Sequence, residues 1–149
     1  TPNESSAASD VYKRQILIMA RTDAIATRGL DDAIKRMQSF SKLGVDILFI
    51  EAVKNKEDMK RIIKEVPGHH MLNLIEDGET PLLEINEIEE IGYKIAVMPL
   101  TLMSASVKTM QECLNNMKNK VYNKNVSKFS DLRDIVGFNE YYDIEDKYK

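Results

Sequence analysis

A single cysteine in 149 residues, Cys113, leaves nothing with which to close an intramolecular disulfide, so packing must hold the fold. Cys113 shares the apolar stripe of a predicted helix with Met110, Leu114 and Met117, and is expected to be buried and inert. No apolar run approaches the roughly 18 residues of a membrane span. No charged-then-apolar signal pattern opens the chain either, so a cytoplasmic protein without a membrane partner is expected. With 21 basic against 24 acidic residues the net charge is −3, and no basic stripe is interleaved with aromatics, which excludes nucleic acid as the expected partner. Only two histidines occur. His69 and His70 follow Pro67-Gly68 with no second metal ligand at useful spacing, and are expected on the surface, in a loop at the amino-terminal side of a strand.

What is present is an ordinary globular composition, 43% hydrophobic and 30% charged. Residues Thr1 to Ser9 are small and polar, and Asp10-Val11-Tyr12-Lys13-Arg14-Gln15 then runs abruptly into Ile16-Leu17-Ile18-Met19-Ala20. Residues 1–15 are expected to be a leader that is non-native, translated from sequencing-adaptor DNA, or else disordered. In the first case the natural gene continues upstream.

From Ile16 onward a short apolar run followed by an amphipathic stretch occurs four times, the pattern of a βα repeat. The runs are Ile16 to Ala20, Ile47 to Ile50, Met71 to Ile75 and Ile95 to Met98, largely apolar without strict alternation, as parallel strands covered on both faces are. The first helix carries Leu30, Ala33, Ile34, Met37 and Phe40 on one stripe and stops at Gly44. The second starts after Asn55, an N-cap with Asp58 three residues on, buries Met59, Ile62, Ile63 and Val66, and ends at Pro67-Gly68. A third runs from Ile85 to Ile91, ending at Gly92, and a fourth from about Leu102 to Val121. Residues 16–122 thus form four βα units, and 123–149 a helical tail of two short helices, Ser130 to Val136 and Asn139 to Lys147, parted by Gly137. The tail face of Phe129, Leu132, Ile135 and Val136 needs a packing partner. Four units are about half of the eight strands and roughly 250 residues of a (β/α)₈ barrel. The competing architecture is a doubly wound sheet, but no Gly-rich phosphate loop follows any strand.

In either architecture ligands meet the carboxyl ends of the strands. Those ends are polar: Arg21-Thr22-Asp23, then Glu51, then Asn73 leading to Glu76, then Pro99-Leu100-Thr101. Arg21 offers a planar fork for a carboxylate, Asn73 offers amide donors, and Glu51 can fix the guanidinium or an attached hydroxyl, so Arg21, Glu51 and Asn73 are the candidate binding set for a small dianion. Asp23 is expected to turn back on nearby backbone. Glu84, Glu87, Glu89 and Glu90 read as a solvated helix face, and Tyr141 and Tyr142 as packing residues.

Three segments, Ile18-Met19-Ala20-Arg21-Thr22-Asp23-Ala24, Phe49-Ile50-Glu51-Ala52 and Asn73-Leu74-Ile75-Glu76-Asp77-Gly78-Glu79-Thr80-Pro81-Leu82, resemble in order and spacing the second half of the isocitrate lyase and phosphoenolpyruvate mutase superfamily, in its methylisocitrate and dimethylmalate lyase branch. The resemblance implies an α/β fold, the C-terminal half (strands five to eight) of a (β/α)₈ barrel with a C-terminal helical tail. It implies a homo-oligomer whose last helix swaps onto a neighbouring subunit, and Mg²⁺ in the full-length parent. The implied reaction is lyase or decarboxylase chemistry on a small 2-oxo or 2-hydroxy dicarboxylate through an enolate. A carboxyphosphonoenolpyruvate or phosphoenolpyruvate mutase is an alternative, and a catalytically silent truncated barrel another. Arg21, Glu51 and Asn73 match substrate-binding positions. The metal-binding aspartates and the catalytic cysteine loop belong to the half not matched here, and Cys113 does not replace that cysteine. Leu102-Met103-Ser104 stand where methylisocitrate lyases carry an arginine, which points toward diacids rather than tricarboxylates.

Overall fold

The structure is a computed structural model and describes residues 16–149; the leader expected at residues 1–15 lies outside the described residues. In chain order the elements are β1 (Met19–Thr22), α1 (Ala24–Arg28), α2 (Leu30–Lys42), β2 (Ile47–Ile50), α3 (Lys56–Glu65), β3 (His69–Asn73), α4 (Ile85–Ile91), β4 (Ile95–Val97), α5 (Thr101–Lys118), α6 (Phe129–Ile135) and α7 (Phe138–Lys147). The chain divides after Ser104 into two compact units.

In the first unit the four strands form one parallel sheet in the order β1-β2-β3-β4. Crossovers between parallel strands are right-handed, so successive steps in one direction carry the connecting helices to one face. The order shows none of the reversal that defines a doubly wound sheet. Strand alternation then sorts the residues: Ala20, Leu48, Ile50, Leu72 and Leu74 join Ala33, Ile34, Met37, Met59, Ile62 and Ile88 in one buried cluster. Helix α2 packs on β1 and β2, and α3 lies against α2 and α4. Local signals set the helix ends. The Asn55 side chain accepts from the Asp58 backbone N–H at 2.8 Å, and Gly92 closes α4 at φ 118°, in the left-handed region.

In the first unit the strand bounds and the placement of the histidines depart from expectation. Strand β1 runs Met19–Thr22 rather than Ile16 to Ala20, because Thr22 pairs with Ile50 and its carbonyl accepts from the Glu51 N–H at 3.0 Å. Strand β3 begins at His69, two residues before the apolar run, so the histidines are not in a surface loop. His69 is exposed, but His70 lies on the helix-covered face at 2% exposure. Its Nε2 lies 2.8 Å from the Val66 carbonyl, the distance at which a neutral imidazole donates, and its ring meets the edge of Tyr93 at 6.2 Å.

Burial pushes the His70 pKa below its ordinary 6.5, opposed by the Val66 bond and assisted by His69. The unfolded chain therefore takes up a proton as pH falls through 6.5, while the folded chain resists it. Stability is full above that pH and declines below it. In His70→Gln, the urea midpoint is expected to lose this part of its fall with acid; an unchanged fall would show that His70 does not cause it.

The second unit, from Ala105, contains the rest of α5 with α6 and α7. Met110, Leu114 and Met117 are 56%, 65% and 65% exposed and Cys113 is half-buried, so the expected burial of that stripe is absent. Phe129, Leu132, Ile135 and Val136 are exposed too, so among the described residues nothing covers the tail face that was expected to pack. Tyr141 and Tyr142 are exposed as well: Tyr142 touches the Phe138 and Tyr141 rings and lies under Arg133 rather than in a core. Their apolar pattern made the helices legible, but periodicity does not supply a partner. Among the described residues no helix is long and apolar enough to cross a membrane.

Candidate substrate-binding site

Register places the site. Arg21 pairs with Phe49 and Phe49 with Met71, and following that ladder two residues further brings Glu51 beside Asn73. Arg21, Phe49, Glu51 and Asn73 therefore fall on the sheet face opposite the buried cluster. The guanidinium lies over the Phe49 ring, 5.1 Å from its centroid.

The three candidate residues come together through one oxygen. Glu51 Oε2 lies 3.2 Å from Arg21 Nη2 and accepts from Asn73 Nδ2 at 3.1 Å. Asp23 does not turn onto backbone through its side chain. It takes the other edge of the guanidinium, accepting from Nη2 at 2.7 Å and from Nε at 3.1 Å. This hydrogen-bonded pairing holds the Asp23 carboxyl below its ordinary range and raises the Arg21 pKa further. Arg21 and Asp23 are about half exposed, whereas Glu51 is 21% exposed.

Immediately after Glu51 the chain turns at Ala52, φ 59°, a left-handed conformation that costs a non-glycine residue about 1 kcal/mol. The turn opens a cleft of about 190 Å³ lined by Glu51, Ala52, Asn73, Ile75, Gly78, Glu79 and Thr80. Gly78 closes its far wall in a tight turn, its N–H donating to the Ile75 carbonyl at 2.9 Å, and a Cβ there would sit 2.9 Å from that same oxygen. Thr80, 8% exposed, and the Lys54–Glu79 pair at 3.6 Å were not singled out from sequence. Nor was the partner of Glu76, which accepts from Thr101 Oγ1 at 2.6 Å, a bond that depresses the Glu76 pKa. Glu87, expected on a solvated face, is half-buried and pairs with Lys56.

Among the described residues no group of three His, Cys, Asp or Glu side chains is placed to hold a metal ion. Asp23 and Glu51 both face Arg21, so this set does not fit Mg²⁺, and no chemical step is derived through it. Chemically the arrangement is an anchored guanidinium beside an anchored carboxylate and amide, able to orient a ligand carrying acceptor and donor atoms together.

The family model described as phosphoenolpyruvate phosphomutase matches residues 3–118. The chain is 36% identical over 136 residues to 2,3-dimethylmalate lyase of Eubacterium barkeri, covering 89% of this chain and 47% of the relative. It is 30% identical over 151 residues to the chloroplastic carboxyvinyl-carboxyphosphonate phosphorylmutase of Arabidopsis thaliana, covering 97% of this chain and 44% of the relative. A crystal structure of 2,3-dimethylmalate lyase shares the fold, with a TM-score of 0.79 at 24% identity over 96% of this chain and 52% of that one. The chain spans about half the length of the curated relatives it matches.

Proposed function

Because the chain belongs to the phosphoenolpyruvate phosphomutase family, we propose that it is the C-terminal half, strands five to eight, of a barrel enzyme that cleaves or decarboxylates a small 2-oxo or 2-hydroxy dicarboxylate through an enolate. The observation that carries this reading is Glu51 Oε2, which ties Arg21 and Asn73, from neighbouring strand ends, into one cluster beside the cleft. Arg21 receives a substrate carboxylate and offsets the negative charge that grows on the adjoining oxygen as the enolate forms. Asn73 and Glu51 fix the polar end of the substrate. Mg²⁺ in the proposed parent would be held by residues of the half outside this chain, and would supply further positive charge to the site. The parent is proposed to act in the cytoplasm as a homo-oligomer joined by helix exchange, a reading supported by the exposed stripe of Met103, Val107, Met110, Leu114 and Met117 on α5.

A phosphonate mutase is the second reading, favoured by the likeness to the phosphorylmutase.

The 149-residue chain alone is expected to bind a diacid without turning it over. In a ¹⁵N NMR titration with malate, the side-chain N–H signals of Arg21 and Asn73 should shift together along one binding curve. Shifts at neither residue would remove the site. Turnover of 2,3-dimethylmalate with Mg²⁺ by this chain would instead overturn the claim that the other half is required.

A further inference from the structure

Both edges of the four-stranded sheet lack a neighbouring strand among the described residues, one along β1 and the other along β4. An uncovered edge presents unpaired N–H and C=O groups, and proteins leave few such edges apolar. These two are apolar. Ile16, Leu17, Ile18 and Met19, leading into and opening β1, are all exposed. Beside β4 lies a cleft of about 250 Å³ whose wall includes Ile85, Ile88, Tyr93, Ile95 and Ala96. The hydroxyl of Tyr93 is buried with no hydrogen-bond partner among the described residues, so that wall is unfinished in its polar as well as its apolar groups. One edge therefore carries an apolar ridge and the other an apolar groove.

A second copy of the chain fits both. All four strands are parallel and follow one another in order, so turning a copy by half a rotation about an axis along the strands keeps every strand direction. It sets β4 of each copy beside β1 of the other, in two identical seams of ridge against groove. Such a contact is heterologous, and it grows into a filament unless the rotation closes it. Strand number favours closure, because two copies supply eight parallel strands, the number of a (β/α)₈ barrel whose interior is filled by side chains. The face turned away from the helices offers Met19, Phe49, Met71 and Ile95 to that interior.

We propose that this chain pairs edge to edge with a second copy of itself, β1 of each against β4 of the other, closing an eight-stranded ring. The test is analytical ultracentrifugation of the full chain and of two variants on the facing edges, Ile18→Glu and Ala96→Lys. Alternation puts Ile18, like Ala20, and Ala96, like Leu72, on the helix-covered face. Both are exposed in the single chain, so each variant is expected to keep its far-ultraviolet circular dichroism. The unsubstituted chain is expected to sediment at twice the mass of either variant. A pair of identical variants would bury an unpaired charge in each seam, which should weaken pairing at least about a hundredfold. Mixing the two variants should restore the larger mass, since one seam then sets Glu against Lys and the other holds neither substitution. An unsubstituted chain that stayed monomeric at every concentration would overturn the pairing without reference to the variants. One mass for all samples, or a mixture no heavier than its components, would place any self-association on another surface and overturn it too. If Ile18→Glu alone lost the larger mass, β1 would be pairing with itself, and a mass rising without limit would mark a filament rather than a ring; either result overturns the closed arrangement.

Discussion

Arg21→Ala is expected to weaken malate binding by about 2 kcal/mol or more, roughly thirtyfold, while changing the free energy of unfolding by no more than about 1 kcal/mol. The asymmetry follows from where the side chain sits. Arg21 and Asp23 are half exposed, and ion pairs in that setting contribute little to stability. For a ligand the balance differs, because without the guanidinium the Asp23 and Glu51 carboxylates face an incoming dianion with no counter-charge between them. Arg21→Lys restores one positive charge but cannot bond both carboxylates and still present a planar N–H pair, so it should recover only part of the loss. Calorimetric titration beside urea denaturation separates the two quantities. Loss of affinity matched by an equal loss of stability would assign Arg21 a structural role.

How much of this was legible before the coordinates depends on whether the signal is local. Helix α4 and its Gly92 terminus follow from a short stripe and one residue, and the Asn55 cap from a spacing of three. Strand ends are different, since pairing between distant segments sets them. Thr22 belongs to β1 only because Glu51 bonds to it, and His69 to β3 because it pairs with Ile47. Misplacing the start of β3 concealed His70, whose position on the same face as Leu72 follows at once from strand alternation when the strand begins at His69.

The site divides in the same way. Polar residues at strand ends singled out Arg21, Glu51 and Asn73, because topology brings such ends together wherever parallel strands are neighbours. Which atoms they use on one another was not legible. Asp23 could have met backbone as easily as Arg21, and the Thr101–Glu76 bond joins residues 25 positions apart. The exposed apolar faces of α5 and α6 mark the remaining boundary: a stripe shows that a helix has something to bury, while the surface it buries against must come from elsewhere.

The second large effect tests the strand that carries Glu51. Leu48 is 1% exposed at the centre of β2, and Leu48→Ala is expected to cost about 3 kcal/mol through lost burial and the cavity left behind. Gly68, just before β3, holds φ at +138°, and a Cβ built there lies 2.7 Å from Leu48 Cδ1. Gly68→Ala should therefore be destabilising for two reasons, an unfavourable backbone of about 1–3 kcal/mol and a clash with a packed side chain. The reasons separate in the double variant. Truncating Leu48 removes the atom that the new methyl strikes but leaves the backbone strain, so the two losses should fall short of additivity by about 1 kcal/mol. Additive losses would mean that Leu48 moves aside without cost, and the packing that fixes β2 against the entry to β3 would be looser than the coordinates require. A shortfall as large as the whole Gly68→Ala loss would mean that the left-handed backbone costs nothing there, and that the glycine is needed only for the space it leaves to Leu48.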